Sequence, residues 1–293
     1  MRRTKAFTLV ELLVVVGIIG LLAAILVPTL QQANELTNRT VCMANLSSIN
    51  KAAMLYKSAN EGIWPWLYNK NNAWDTTKVG QNRNLDPNTT VARSVTALMF
   101  MLVRQDQPPG IFRCPSDKGS LVDDNTKAKQ VDSFIKEREY YLDFSKPENV
   151  SYSYQAPRYV NASTFANGVD STETELVVYA DMTPRYGGDE PWVPKVIEST
   201  MTPTEIEKQL SYNHKGKQVN ILRVAGNVAG VKRPDVGLYQ DLIYTAYGSD
   251  TSADAPRKGL LKSVSDHKKS SDTFLIGPYG RTEASSDANT TGA

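Results

Sequence analysis

Histidine and cysteine are scarce in this chain, with two of each in 293 residues. Two cysteines, Cys42 and Cys114, allow at most one internal bridge, which excludes a disulfide framework. Two histidines leave a His-rich metal centre without ligands, so no metal site is expected. Charge of one sign is lacking as well. The 33 Lys and Arg face 31 Asp and Glu, a net charge of +2, which gives no basic footprint and no nucleic-acid partner. Gly-rich phosphate loops, a G-x-S-x-G elbow and an H-E-x-x-H helix are all missing, so the sequence offers no catalytic residue, implies no cofactor and reads as a non-enzyme. Hydrophobic residues at 41% and charged residues at 22% sit near globular averages, excluding a wholly disordered chain and a polytopic membrane protein.

What the chain does have is one long apolar run. FTLVELLVVVGIIGLLAAILVPTL, from Phe7 to Leu30, contains a single ionisable residue, Glu11. As a helix, 24 residues reach about 36 Å, more than the roughly 30 Å hydrocarbon core of a bilayer. The run is too long for the apolar core of a cleaved secretory signal, which is about 7–15 residues. Arg2, Arg3 and Lys5 precede it, and only Arg39 follows within the next twenty residues. The positive-inside rule therefore keeps the N-terminus cytoplasmic and places everything after Leu30 outside. Glu11 is the anomaly, since an unpaired carboxylate in lipid costs on the order of 3 kcal/mol.

The segment KAFTLVELLVVVGIIGLLAAILVP follows a short basic leader and carries Phe-Thr-Leu-Val-Glu after a small residue. It resembles the N-terminus of type IV prepilins and type II secretion pseudopilins. The resemblance implies cleavage by a membrane-bound prepilin peptidase between Ala6 and Phe7, followed by methylation of the new amine; most of the family has Gly where this chain has Ala6. Glu11 becomes the fifth mature residue. Within one helix it lies about one turn from the new amine, and in a bundle it can meet a neighbour's amine instead. At about 4 Å and an effective dielectric near 20, that attraction is roughly 4 kcal/mol, comparable with the burial cost, so pairing sets stagger more than stability. A carboxylate that snorkels to the interface is the plainer alternative. The resemblance further implies a structural subunit of a pilus or secretion pseudopilus. Its expected partners are copies of itself, other pilins or pseudopilins, the peptidase and an inner-membrane assembly platform. The inner membrane holds it as a single-pass protein until it enters a filament.

Beyond the run, Cys42, Leu46, Ile49, Ala53 and Tyr56 recur at helical spacing, and neither Pro nor Gly interrupts before Gly62. The pattern predicts a membrane half over 7–30 and an amphipathic half over 31–58, about 78 Å if continuous, with a kink or local melting invited by Gly17, Gly20 and Pro28. Residues 1–6 are then the leader, 59–280 an external domain with insertions, and 281–293 a flexible tail. Trp64, Trp66 and Trp74 either pack their loop onto the domain or offer a sugar-stacking platform. Ser94–Val103 reads as a short buried helix capped by Ser94. Strand patterns follow at 150–155, 175–180, 218–224 and 226–231, with a tight hairpin at Ala225-Gly226 and a final edge strand within 273–278. The charged stretch 123–146 is a rim helix or an ordered insertion. The fold class is α+β, a long N-terminal helix packed on an antiparallel sheet.

Weaker likenesses extend the same family resemblance. Cys42-Met-Ala-Asn-Leu-Ser-Ser-Ile and Cys114-Pro115-Ser116-Asp117 resemble its N-L-x-x-I helix and C-P-S-D turn, which implies a possible Cys42–Cys114 bridge; two buried thiols remain the alternative. The run from His214 to Gly226 resembles a subfamily's H-x9-D-G signature, but ten residues intervene and Ala225 stands where that signature has Asp. His214 is accordingly read as a loop anchor. Asp181, Asp189 and Glu190 are candidate calcium ligands without regular spacing, and read as solvated loop carboxylates. The rival to a filament subunit is a membrane-tethered enzyme or carbohydrate-binding protein using the tryptophan loop, or Asp181 with His214.

Overall fold

The computed structural model describes residues 8–66, 94–117, 143–144, 149–155, 158–161, 164–167, 169, 171–182, 201–207, 210–214, 216–238, 243–244 and 275–276. One helix, α1 (Leu9–Ala59), runs for 51 residues, or about 77 Å. The helix is continuous through Pro28, so the local melting invited there does not occur. Proline deletes one ladder donor, and the flanking Leu, Val and Ile residues keep the remaining bonds; Thr29 adds a hydroxyl bond to the Leu26 carbonyl at 2.8 Å. At the other end the Gly62 N–H returns to the Lys57 carbonyl at 2.9 Å with Gly62 at φ +80°, closing the helix.

The outer half of α1 buries the stripe Cys42, Leu46, Ile49, Ala52, Ala53 and Tyr56. Its cover is a five-stranded antiparallel sheet in the order β6-β5-β4-β1-β7, built from β1 (Tyr152–Gln155), β4 (Val177–Asp181), β5 (Val219–Arg223), β6 (Val228–Val231) and β7 (Leu275–Ile276). The edge strand expected within 273–278 is β7, paired with β1 at Gln155↔Leu275. A separate hairpin of β2 (Arg158–Asn161) and β3 (Thr164–Ala166) was not foreseen, because RYVN and TFA are too short to stand out as strands.

Both faces of the central strands are covered. Tyr152, Tyr154, Val178, Tyr179 and Leu222 join the α1 stripe, while Val177, Ala180, Val219, Ile221 and Leu275 meet Leu210, Ile243 and Tyr244 on the reverse side. This explains why Val177–Ala180 reads as an unbroken apolar run, VVYA, rather than an alternating one. Tyr154 and Tyr179 face each other across β1 and β4 with ring centroids 4.6 Å apart.

The remaining core comes from α2 (Thr96–Arg104), almost wholly buried. The N-cap position falls to Val95, one residue after the expected Ser94; Ser94 accepts the Ala97 N–H at 3.3 Å and donates its own hydroxyl to the Asp143 carboxylate, which Thr96 also reaches at 2.8 Å. Trp64 is fully buried, and Trp66 packs partly buried against the same core. That removes Trp64 from any sugar-stacking surface, since a ring without exposed face cannot stack on a ligand. Trp74, like 123–142, lies outside the described residues.

The β5–β6 hairpin turns at Ala225-Gly226, with Gly226 at φ +89°. An added Cβ there would sit 2.9 Å from Asn50 Nδ2 on α1, whose amide also donates to the Gly226 carbonyl at 3.4 Å. Gly226→Ala is therefore expected to cost about 1–3 kcal/mol through backbone strain and a displaced Asn50. The chemical-denaturation midpoint of the full chain in detergent measures it; an unchanged midpoint would mean that the turn relaxes freely.

Candidate functional site

Two regions carry the residues singled out by sequence. In the first, the apolar half of α1 packs against nothing among the described residues, with its large residues from Leu9 to Leu30 between 47% and 77% exposed. The helix is long and apolar enough to cross a membrane. At its start Thr8 and Glu11 form a reciprocal cap: the Thr8 N–H and hydroxyl donate to Glu11 Oε2 at 2.9 and 2.8 Å, and the Glu11 N–H donates to Thr8 Oγ1 at 3.2 Å. Sequence reasoning missed this capping box, although its signature, Thr-x-x-Glu before an apolar run, was legible. Ala6 and Phe7 lie outside the described residues.

The second region is a buried junction where α1, the 114–117 turn, the end of β4, the 212–214 turn and β5 converge. Cys42 on α1 is bonded to Cys114, with Cα atoms 5.4 Å apart across a sequence separation of 72. A closed loop of that length contributes roughly 2–4 kcal/mol in the chain-entropy account. Beside the bridge stands His214, fully buried, and its neighbours fix its tautomer. Glu35 Oε1 lies 2.9 Å from Nδ1 and can only accept, so Nδ1 carries the proton; Asn220 Nδ2 lies 3.0 Å from Nε2 and can only donate, so Nε2 presents its lone pair. Burial pushes the His214 pKa down despite the opposing pull of Glu35, consistent with a neutral ring.

Glu35 gathers three partners. Besides His214 it accepts from the Ser116 hydroxyl at 3.0 Å and pairs with Arg39 at 3.4 Å. No motif marks Glu35 in the sequence, yet it lies seven residues before Cys42 and so extends the buried stripe by two turns. The C-P-S-D turn is held in the same way: the Ser151 hydroxyl donates to Asp117 Oδ2 at 2.7 Å, and the Asn45 amide donates to the Arg113 carbonyl at 2.8 Å.

Asp181 corrects another expectation. It is fully buried at the end of β4, not solvated in a loop, because β5 and the Tyr244 hydroxyl close over it. Its Oδ2 accepts the Asn220 N–H at 2.6 Å and lies 3.4 Å from His214 Nε2. Burial raises its pKa to about 8, only partly offset by the Asn220 N–H. The Asn213 side chain, whose amide donates to the Ser151 carbonyl at 2.7 Å, also favours the ionised form of Asp181, to a smaller extent. Among the described residues, Asp181 Oδ1 and Asn213 Oδ1 are buried without a hydrogen-bond partner.

The structure thus brings His214, Asp181, Cys42 and Cys114 together and leaves Ala225 on the exposed hairpin turn. Asp189 and Glu190 lie outside the described residues. An enzyme using Asp181 and His214 would need substrate to reach them, and both are fully buried, which argues against that rival.

Comparison with known proteins bears on the first region. Residues 1–27 match the prokaryotic N-terminal methylation motif. The chain is similar to the type IV wide pilus major component PilA4 of Thermus thermophilus, at 45% identity over 60 residues, which is 20% of this chain and 46% of that protein. It is similar to a fimbrial protein of Pseudomonas aeruginosa at 43% identity over 53 residues, 18% of this chain and 34% of the relative. The matched segment therefore spans less than half of either relative. No solved structure matches the chain.

Proposed function

We propose that this chain, type IV pilin-like in its N-terminal segment, is a structural filament subunit: a pseudopilin or minor pilin of a secretion pseudopilus or a pilus-like filament. The observation that carries this reading is the continuity of the methylation motif at residues 1–27 with a 51-residue helix whose apolar half has no cover among the described residues. Such a surface needs either lipid or other helices around it, and a filament subunit passes from one to the other. In this reading prepilin peptidase cuts between Ala6 and Phe7, the helix waits in the inner membrane with its N-terminus cytoplasmic, and the assembly platform transfers it into a bundle of pilins. Mass spectrometry of membrane-extracted protein is expected to show loss of Met1–Ala6 and an N-methylated Phe7. An intact leader would overturn the proposal.

Glu11 takes the register role. In the single chain its carboxylate is occupied by Thr8 of the same helix, an arrangement that leaves a second carboxylate oxygen for a neighbour's terminal amine. Glu11→Ala is expected to leave insertion and processing unchanged and to abolish incorporation into filaments, read by shearing and immunoblotting of the surface fraction. Incorporation at the normal level would refute the pairing.

A further inference from the structure

We propose that, in its dithiol form, the buried junction is a zinc site in which Cys42, Cys114, Asp181 and His214 bind one Zn2+. These four residues come from α1, the 114–117 turn, β4 and the 212–214 turn, and each offers one ligand atom within 4.8 Å of the others. Three features favour a metal over a casual cluster. The first is spacing. Tetrahedral zinc with bonds of about 2.3 Å to sulfur and about 2.0–2.1 Å to nitrogen or oxygen requires sulfur–nitrogen edges of about 3.6 Å and nitrogen–oxygen edges of about 3.3 Å. Cys114 Sγ lies 3.7 Å from His214 Nε2, and Nε2 lies 3.4 Å from Asp181 Oδ2.

The second is the state of the imidazole. A metal-binding histidine must present a bare nitrogen and commonly holds its other N–H against a carboxylate. His214 does both, with Nδ1–H on Glu35 Oε1 and the Nε2 lone pair turned toward the sulfur and Asp181. Among the described residues the Asn220 amide donates to that lone pair, at 3.0 Å, and the metal would take its place. The third is donor chemistry: two thiolates, one imidazole and one carboxylate suit Zn2+ above the harder cations. Both thiolates and the carboxylate would more than offset the buried cation, leaving one net negative charge at the site.

In the oxidised chain the sulfurs are bonded to each other and the site is closed to metal. A small dithiol reduces it by two electrons: the Cys42–Cys114 bond breaks, two thiols form, and the reductant leaves as its own disulfide. Zinc then displaces the two thiol protons and the proton of the buried Asp181 carboxyl. Because all four ligands are buried, loading accompanies folding of the reduced chain.

The test uses the full chain in detergent, refolded anaerobically with dithiothreitol and titrated with Co2+ as a spectroscopic stand-in for Zn2+. The expected result is one equivalent bound, with a thiolate-to-cobalt charge-transfer band and intense tetrahedral visible bands, absent from the oxidised chain. Zn2+ should bleach the spectrum and raise the melting temperature of the reduced chain only. Glu35→Gln should weaken binding about 10–100-fold through the lost support of His214, and Asp181→Asn should change the band pattern. The proposal is overturned by a reduced chain that folds without taking up Co2+, by one that Zn2+ fails to restore when reduction has unfolded it, or by a spectrum identical in wild type and Asp181→Asn.

Discussion

His214→Ala is expected to destabilise the external domain by about 3–5 kcal/mol, adding the cavity left by a buried ring to the loss of partners for polar groups around it. The ring is enclosed on all sides: Glu35 on Nδ1, Asn220 and Asp181 about Nε2, and the Cys114 sulfur at 3.7 Å. Removing it frees the Asn220 amide from its acceptor and lets Glu35 turn to water, so the 212–214 turn loses its tie to α1. His214→Gln retains part of the volume and a donor and acceptor, and should recover about half of the loss. Chemical denaturation of the oxidised full chain in detergent measures both. A loss below about 1 kcal/mol for alanine would mean that water refills the junction and that the ring is a filler, not an anchor.

The helix and the junction differ in how much of each could be read from residues alone. The stripe from Cys42 to Tyr56 announces itself because one period governs many residues, and the hairpin at Gly226 because only glycine takes φ +89° without strain. The central strands were legible as short apolar runs between turn residues. The junction was not. Glu35 and His214 are 179 positions apart, Asp117 and Ser151 are 34 apart, and no local pattern links such pairs. A buried carboxylate at Asp181 and a solvated one look alike in sequence; what separates them is β5 and Tyr244 folding across, which is tertiary. The H-x9-D-G likeness directed attention to Ala225, whereas His214 meets its acid partners from α1 and β4.

Asp181→Asn is expected to stabilise the oxidised chain and to remove most of the fall in stability between about pH 4 and pH 8. The sign follows from proton counting. The unfolded carboxyl titrates near 3.8, whereas in the fold burial holds it up to about 8. Between those values the native state keeps a proton that the unfolded state has lost, so native stability declines as pH rises and levels off above the folded pKa. A displacement of about four pH units corresponds to a penalty on the order of 4–6 kcal/mol at alkaline pH. Asparagine carries no such penalty, and its oxygen can still accept the Asn220 N–H. The other groups around Asp181 do not mimic this limb. Tyr152 and Tyr244 are pushed upward by burial and stay neutral throughout the range. His214, pushed downward by burial, acts on the opposite side: its contribution is lost as pH falls through and below about 6.5. Wild type should thus show a stability maximum on the acid side of neutrality, and the asparagine variant a plateau extending to alkaline pH. Denaturation midpoints measured from pH 4 to pH 9 with the disulfide intact decide it; parallel profiles for the two proteins would show that Asp181 is ionised in the fold, with water or a cation beside Oδ1.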